Sequence, residues 1–204
     1  MLDEAVLSLV TPENAAAFAE ALEKADIEML VQRLDSAEDK IRYPAFLLLR
    51  ARSAVSDDVY PFWDALAEKL VRKNSYQRSI GAMLLAANTR HDTAGRMQDA
   101  MPRFLRLLND PKPITVRQAA QALPEILRAK PELAEEIGRA LMAVDLVGYK
   151  DTMRKLILLD FLDALLLIRE IQPTPELEAY LFSALSGSIL DEKSKRQLQA
   201  KLSL

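Results

Sequence analysis

An arginine returns at near-constant intervals down this 204-residue chain, at positions 42, 78, 117, 154 and 196, with steps of 36, 39, 37 and 42. Each copy sits in a similar setting. In Phe104–Leu127, a segment ending in Leu107-Leu108 meets a polar turn with Asp110 and two Pro, and then Val116-Arg117. Ala119, Ala120 and Leu123 follow on helical spacing. The same order runs through Leu34, Asp35, Ile41-Arg42 and Leu48, through Leu70, Asn74, Gln77-Arg78 and Leu84, and through Asp145, Met153-Arg154 and Ile157. A weaker copy holds Arg196 and Leu198. A supersecondary unit repeated at this period cannot bury its apolar face alone, so such a chain is built by stacking.

Composition makes the unit helical. Leu (35) and Ala (29) dominate, Val (9) and Ile (10) are sparse, and there are only 5 Gly. Straight-chain and Ala-rich segments favour helix, and the shortage of β-branched residues argues against a sheet. Half the residues are apolar and 28% charged, enough apolar material for a continuous core. Turn and cap residues divide the chain into outer helices near 12–34, 57–72, 95–108, 131–145 and 175–186. Inner helices fall near 40–54, 75–89, 114–129, 149–171 and 191–202. Thr11-Pro12-Glu13, Lys130-Pro131-Glu132 and Thr174-Pro175-Glu176 read as helix starts, with Pro in the first turn and acid near the positive end of the dipole. Pro44 is expected near a first turn, and Pro102 and Pro124 are expected to kink their helices.

The turn Asp (Asp35, Asp110) and the apolar-Arg pair seven residues on (Ile41-Arg42, Val116-Arg117) resemble HEAT repeats. That resemblance covers roughly residues 27–200. It implies an all-α fold, a right-handed α-α superhelix of about five antiparallel helix pairs in one domain over 1–204. The stretch NSYQR…NDPKPITVRQAAQALPEI…KPEL…YKDTMRKLILLDFLDAL is similar to a family of short bacterial HEAT-type proteins. Some of these are labelled as iron–sulfur assembly proteins of the SufB/SufD type. The chain has no Cys and a single His, so only the fold implication carries over.

Several chemistries are excluded by the residues themselves. Without Cys there is no disulfide, thiolate nucleophile or cluster ligand, and one His cannot build a Cys/His zinc site, so neither cofactor nor metal is expected. The same shortage excludes the His-Glu metal pairs of deoxyhypusine-hydroxylase-like HEAT proteins. The apolar run Ala164–Ile168 is far shorter than the roughly 20 residues a membrane span needs. The opening segment reads as a helix rather than a secretory leader, which leads to the expectation of a soluble cytoplasmic protein.

Individual residues receive mostly structural readings. Arg42, Arg78, Arg117 and Arg154 are expected to form a buried ladder that bonds turn carboxylates or helix-end carbonyls and fixes the stacking register. Trp63 is expected to pack between outer helices, and His91 to be a solvated loop residue. Asp160 and Asp163, three apart in an apolar helix, share a face and are expected to pair with Arg from a neighbouring repeat. Alkylated-base DNA glycosylases also use a HEAT-type fold, but the resemblance to them is at the level of fold alone.

The layers differ in charge. The inner helices sum to +9, against −12 for the rest of the chain, and about +4 remains once the five repeat arginines are set aside. Projecting the Val116-Arg117 register onto each inner helix places Tyr43, Leu47, Arg50, Ser79, Met83, Gln118, Gln121, Glu125, Lys155 and Leu162 on one concave row. Aromatic, Met, amide and basic groups on a row of this kind suit a peptide partner. The expected function is a non-enzymatic protein-binding scaffold with an acidic or amphipathic helical partner. The alternative is a nucleic-acid-acting protein of the glycosylase kind, which the net charge of −3 disfavours.

Overall fold

A computed structural model describes residues 2 and 4–202. Of the opening segment, Met1 and Asp3 lie outside the described residues. Twelve α-helices and no strand occur among those described. The chain divides into two compact units, Met1–Arg103 and Phe104–Leu204.

The first unit contains α1 (Glu4–Leu7), α2 (Ala15–Glu20), α3 (Lys24–Arg33), α4 (Asp39–Ser53), α5 (Trp63–Lys69) and α6 (Ser75–Asn88), with most of α7 (Arg96–Leu105). One long outer helix over 12–34 was expected, and the chain makes two. Asn14 is the reason for the late start. Its side chain accepts the Thr11 backbone N–H at 2.7 Å and donates to the Leu9 carbonyl at 2.9 Å, so this segment closes into a turn and α2 begins only at Ala15. A reciprocal Glu23–Asp26 capping box then starts α3. Asn74 caps α6 by accepting from Tyr76 N. α4 packs on α2, α3 and α6, and α5 packs on α6. The core between them is Leu-rich: Leu30, Leu34, Leu48, Leu49, Leu66 and Leu84 are fully buried. Each such side chain contributes about 1.5–3 kcal/mol by leaving water.

The second unit contains α8 (Pro113–Ala129), α9 (Ala134–Met142), α10 (Asp151–Ile171), α11 (Pro175–Ser186) and α12 (Glu192–Leu202). Lys130-Pro131-Glu132 opens a 3₁₀ turn at Pro131–Leu133 before α9 begins. Thr174 Oγ1 caps α11 by accepting from Leu177 N, with Pro175 at the first helical position. α10 is the axis of this unit, with α8, α9 and α11 packed along it and Phe161 fully buried at its centre. α12 packs against α11 and buries only Ser194 and Leu198. Pro44, Pro102 and Pro124 all lie inside continuous helices. Among the described residues no helix is long and apolar enough to cross a membrane.

Candidate functional site

Three of the repeat arginines share one local geometry. Arg42 Nη1 donates to the carbonyls of Ser36 and Ala37 at 2.9 and 3.4 Å, and Arg78 Nη1 to those of Arg72 and Lys73 at 2.8 and 2.7 Å. Arg154 Nη2 donates to the carbonyls of Val147 and Tyr149 at 3.1 and 3.0 Å. Each guanidinium thus folds back over the turn that precedes its own helix and satisfies carbonyls left over where that turn leaves regular structure. Arg42 also lies over the Tyr76 ring at 5.3 Å. Only Arg42 is buried; Arg78, Arg117 and Arg154 are half-buried, so the expected buried ladder holds at one position of the four.

Arg117 does something different. Its Nε donates to Asp160 Oδ2 at 2.6 Å and its Nη2 to Oδ1 at 3.3 Å, tying α8 to α10. Gln121 Nε2 adds a bond to the same carboxylate at 2.9 Å. Asp163, one turn on, is exposed and accepts from Lys201 of α12 at 3.0 Å.

Asp35, the turn acid of the first copy, pairs with Lys69 rather than with Arg42. Trp63 is buried against Tyr60, at a centroid distance of 5.5 Å, and Arg96 lies over both rings while it pairs with Asp64. The Tyr60 hydroxyl donates to Asp92 at 2.8 Å, and Asp92 caps the first turn of α7. Burial, together with the Asp92 carboxylate, raises the Tyr60 phenol above its ordinary value. His91 is not solvated as expected. It is half-buried, and its Nε2 lies 2.9 Å from the Ser53 carbonyl, a contact that needs the proton on Nε2.

The expected concave row separates into three kinds of residue. Ser79 and Leu162 are each 3% exposed, so neither offers much side chain to an open face; Ser79 turns inward, and Leu162 reaches only the floor of a hollow on α10. In the first unit, Tyr43 is exposed, with its ring stacked 6.3 Å from Phe46, and Leu47, Arg50 and Met83 are half-buried. Arg50 Nη1 approaches Met83 Sδ at 3.9 Å, which joins α4 and α6 on that face. In the second unit Gln121 is exposed, and Gln118, Glu125 and Lys155 are half-buried. Lys155 was expected to be free for a partner. Instead its Nζ meets Asp191 Oδ2 at 2.5 Å. The Lys155 bond and the Ser194 backbone N–H hold the Asp191 carboxyl far below the usual carboxylate range.

A groove in the second unit shares only Leu162 with the expected row. α10 forms one wall through Leu159, Leu162 and Leu166, and α12 the other through Ser194, Gln197 and Leu198, enclosing about 490 Å³. It runs into a second hollow of about 410 Å³ that shares Asp163, Leu166 and Lys201 and reaches Arg128 at the end of α8. The sequence signal was the apolar excess of α10: Leu159 and Leu166 are half-exposed in a helix that buries Leu158, Leu162 and Leu165. Among the described residues no group of three or more His, Asp or Glu is arranged to hold a metal ion. No protein-family model matches the chain, and a search of curated proteins gives no match.

Proposed function

We propose that the chain is a HEAT-like helical repeat protein that acts as a non-enzymatic binding scaffold for another protein or peptide. The helix pairing supports the solenoid part of this reading. Within the first unit α4 and α6 pack on one another, with α3 against α4 and α5 against α6; within the second, α8 and α9 both pack on α10. Stacked helix pairs present one continuous row of inner-helix side chains, and binding on that row needs no reactive group.

The observation that carries the functional part is the groove along α10. It joins an apolar wall to a polar rim, the arrangement by which a helix is held in a groove. The test is a pair of titrations of the full chain at about 150 mM salt, one with an acidic amphipathic helical peptide and one with duplex DNA. Micromolar peptide binding with no measurable duplex binding is the expected result. Duplex binding tighter than about micromolar, falling steeply with added salt, would replace the scaffold by the nucleic-acid reading.

A further inference from the structure

The groove between α10 and α12 has a charge preference that its apolar lining alone does not give. Asp163 and Lys201, which face each other across it, neutralise one another at 3.0 Å. Arg128 lines its far end, and among the described residues neither a hydrogen bond nor an ion pair engages its guanidinium. Lys193 lies four residues before Gln197 and seven before Ala200, both of which line the groove, so it stands on the same face of α12. Arg196 lies four before Ala200 and is exposed on the adjoining strip. Among the described residues no carboxylate engages Lys193 or Arg196. Arg128 lines the groove and Lys193 and Arg196 flank it; the one acid on the lining with no partner among the described residues is Glu170. A second apolar hollow of about 360 Å³, at Gly138 and Ile168, has no such bias, because Arg139 at its rim is paired with Glu135.

The groove also has the dimensions of a helix seat. Leu159 to Glu170 spans eleven residue steps of α10, about 16 Å at helical rise, or three turns of a helix laid alongside. Leu159, Leu162 and Leu166 recur at spacings of three and four, the spacing that meets the apolar stripe of a docked helix.

We infer that this groove receives an acidic amphipathic helix of a partner protein. Its leucine-like side chains lie against Leu159, Leu162 and Leu166, and its carboxylates face Lys193, Arg196 and Arg128. The inference rests on the scaffold reading above and adds the site and the sign of the partner's charge.

The test uses the full chain and three fluorescent peptides of about 18 residues, long enough to cover three turns with fraying ends. The first carries Leu at helical spacing with Glu elsewhere. The second replaces every Glu by Lys, and the third scrambles the first. Anisotropy should give micromolar binding for the first and at least about tenfold weaker binding for the other two, a gap of about 1.4 kcal/mol. The double variant K193E/R196E changes only exposed side chains and should weaken the acidic peptide at least about tenfold while gaining affinity for the basic one. Leu166→Glu should abolish binding of the acidic peptide, with circular dichroism checking that the helices persist; should this variant not fold, the double variant alone decides.

Acidic-peptide binding untouched by K193E/R196E overturns the groove assignment and leaves the scaffold reading standing. Equal binding of the acidic and basic peptides overturns the charge argument. Wild-type protein that binds none of the three peptides overturns both readings. Duplex DNA that binds more tightly than the acidic peptide, and is lost in K193E/R196E, assigns these cations to phosphate and overturns the inference.

Discussion

Lys69 of α5 carries its charge into the first unit with only 3% of its side chain exposed, and its Nζ reaches Asp35 at 2.7 Å, thirty-four residues earlier. Gln77 Oε1 accepts a second bond from the same ammonium at 2.8 Å, while Gln77 Nε2 donates to the Leu34 carbonyl at 2.6 Å. The end of α3, the end of α5 and the start of α6 are therefore joined through one amine. A buried charge stripped of its partner is costly, whereas removing the whole pair is often nearly neutral. Asp35 is more than half exposed, which tempers the cost. Asp35→Ala should lose about 1–3 kcal/mol of stability in urea unfolding. The double variant D35A/K69M should lose less than Asp35→Ala alone. A strictly additive cycle would mean that the two charges do not interact.

Gly81 makes the neighbouring contact possible. A Cβ added there would stand 2.9 Å from the Leu66 carbonyl oxygen and 2.9 Å from Lys69 Cβ, so α5 and α6 approach at a distance only glycine allows. Alanine gains about 1 kcal/mol in helix propensity over glycine, yet overpacking of this kind typically costs about 1–3 kcal/mol. Gly81→Ala should therefore lower the melting temperature. Gly138 provides the contrast, since its added Cβ would meet Ile168 at 3.6 Å, an ordinary contact. Gly138→Ala should be neutral or stabilising. Equal effects at the two sites would show that the approach of α5 to α6 is not what fixes Gly81.

Arg117 should outrank the other repeat arginines. Its partner Asp160 has only 11% of its side chain exposed, so Arg117→Ala leaves a poorly solvated carboxylate with Gln121 as its remaining side-chain donor among the described residues. The expected loss is about 2–4 kcal/mol, just under that for a fully buried pair. Arg78→Ala removes bonds to two carbonyls that water can reach and should lose about 1 kcal/mol. The midpoints of chemical unfolding check the order. An Arg117→Ala protein that unfolds at the wild-type midpoint would show that the α8–α10 bridge holds nothing together.

These residues also mark how far the sequence could be read. Helix positions followed from local chemistry: Asn74 and Thr174 cap the helices they precede, Pro175 sits at a first helical position, and the observed inner helices lie within two residues of the expected ones at nearly every end. The first outer helix was misread because the Asn14 turn competes with a Thr-Pro-Glu start that has the same composition. The arginine period was legible, and so was its helix-end chemistry at Arg42, Arg78 and Arg154, because donor and acceptors lie within seven residues. The partner of Lys69 was not legible. A Lys near the end of an expected outer helix reads as surface, and nothing local points to Asp35, thirty-four residues earlier. The α10–α12 groove was hidden for a related reason. It depends on how closely α12 packs, and a helix that buries only Ser194 and Leu198 carries a weak apolar signal.

The seating of α12 should depend on pH in a direction that its Asp191 fixes. Asp191 accepts the Ser194 backbone N–H at 2.9 Å, which caps α12, and it pairs with Lys155 of α10, so one carboxylate both starts the helix and moors it. Both bonds favour the charged form, and the folded-state value lies well below the ordinary 3.8. A depressed carboxylate contributes stability that is fully present above its unfolded value and is lost as pH falls towards the folded one. Amide exchange in Glu192–Leu202 should therefore stay level from about pH 7 to pH 5, once corrected for intrinsic rates, and quicken only below the ordinary carboxylate range. Asp191→Asn keeps a side-chain acceptor for the Ser194 amide and loses the ion pair. It should quicken exchange in α12 at neutral pH while leaving the Phe161 region of α10 protected. Exchange in α12 that already quickens between about pH 7 and pH 5 would place its control on a group other than Asp191.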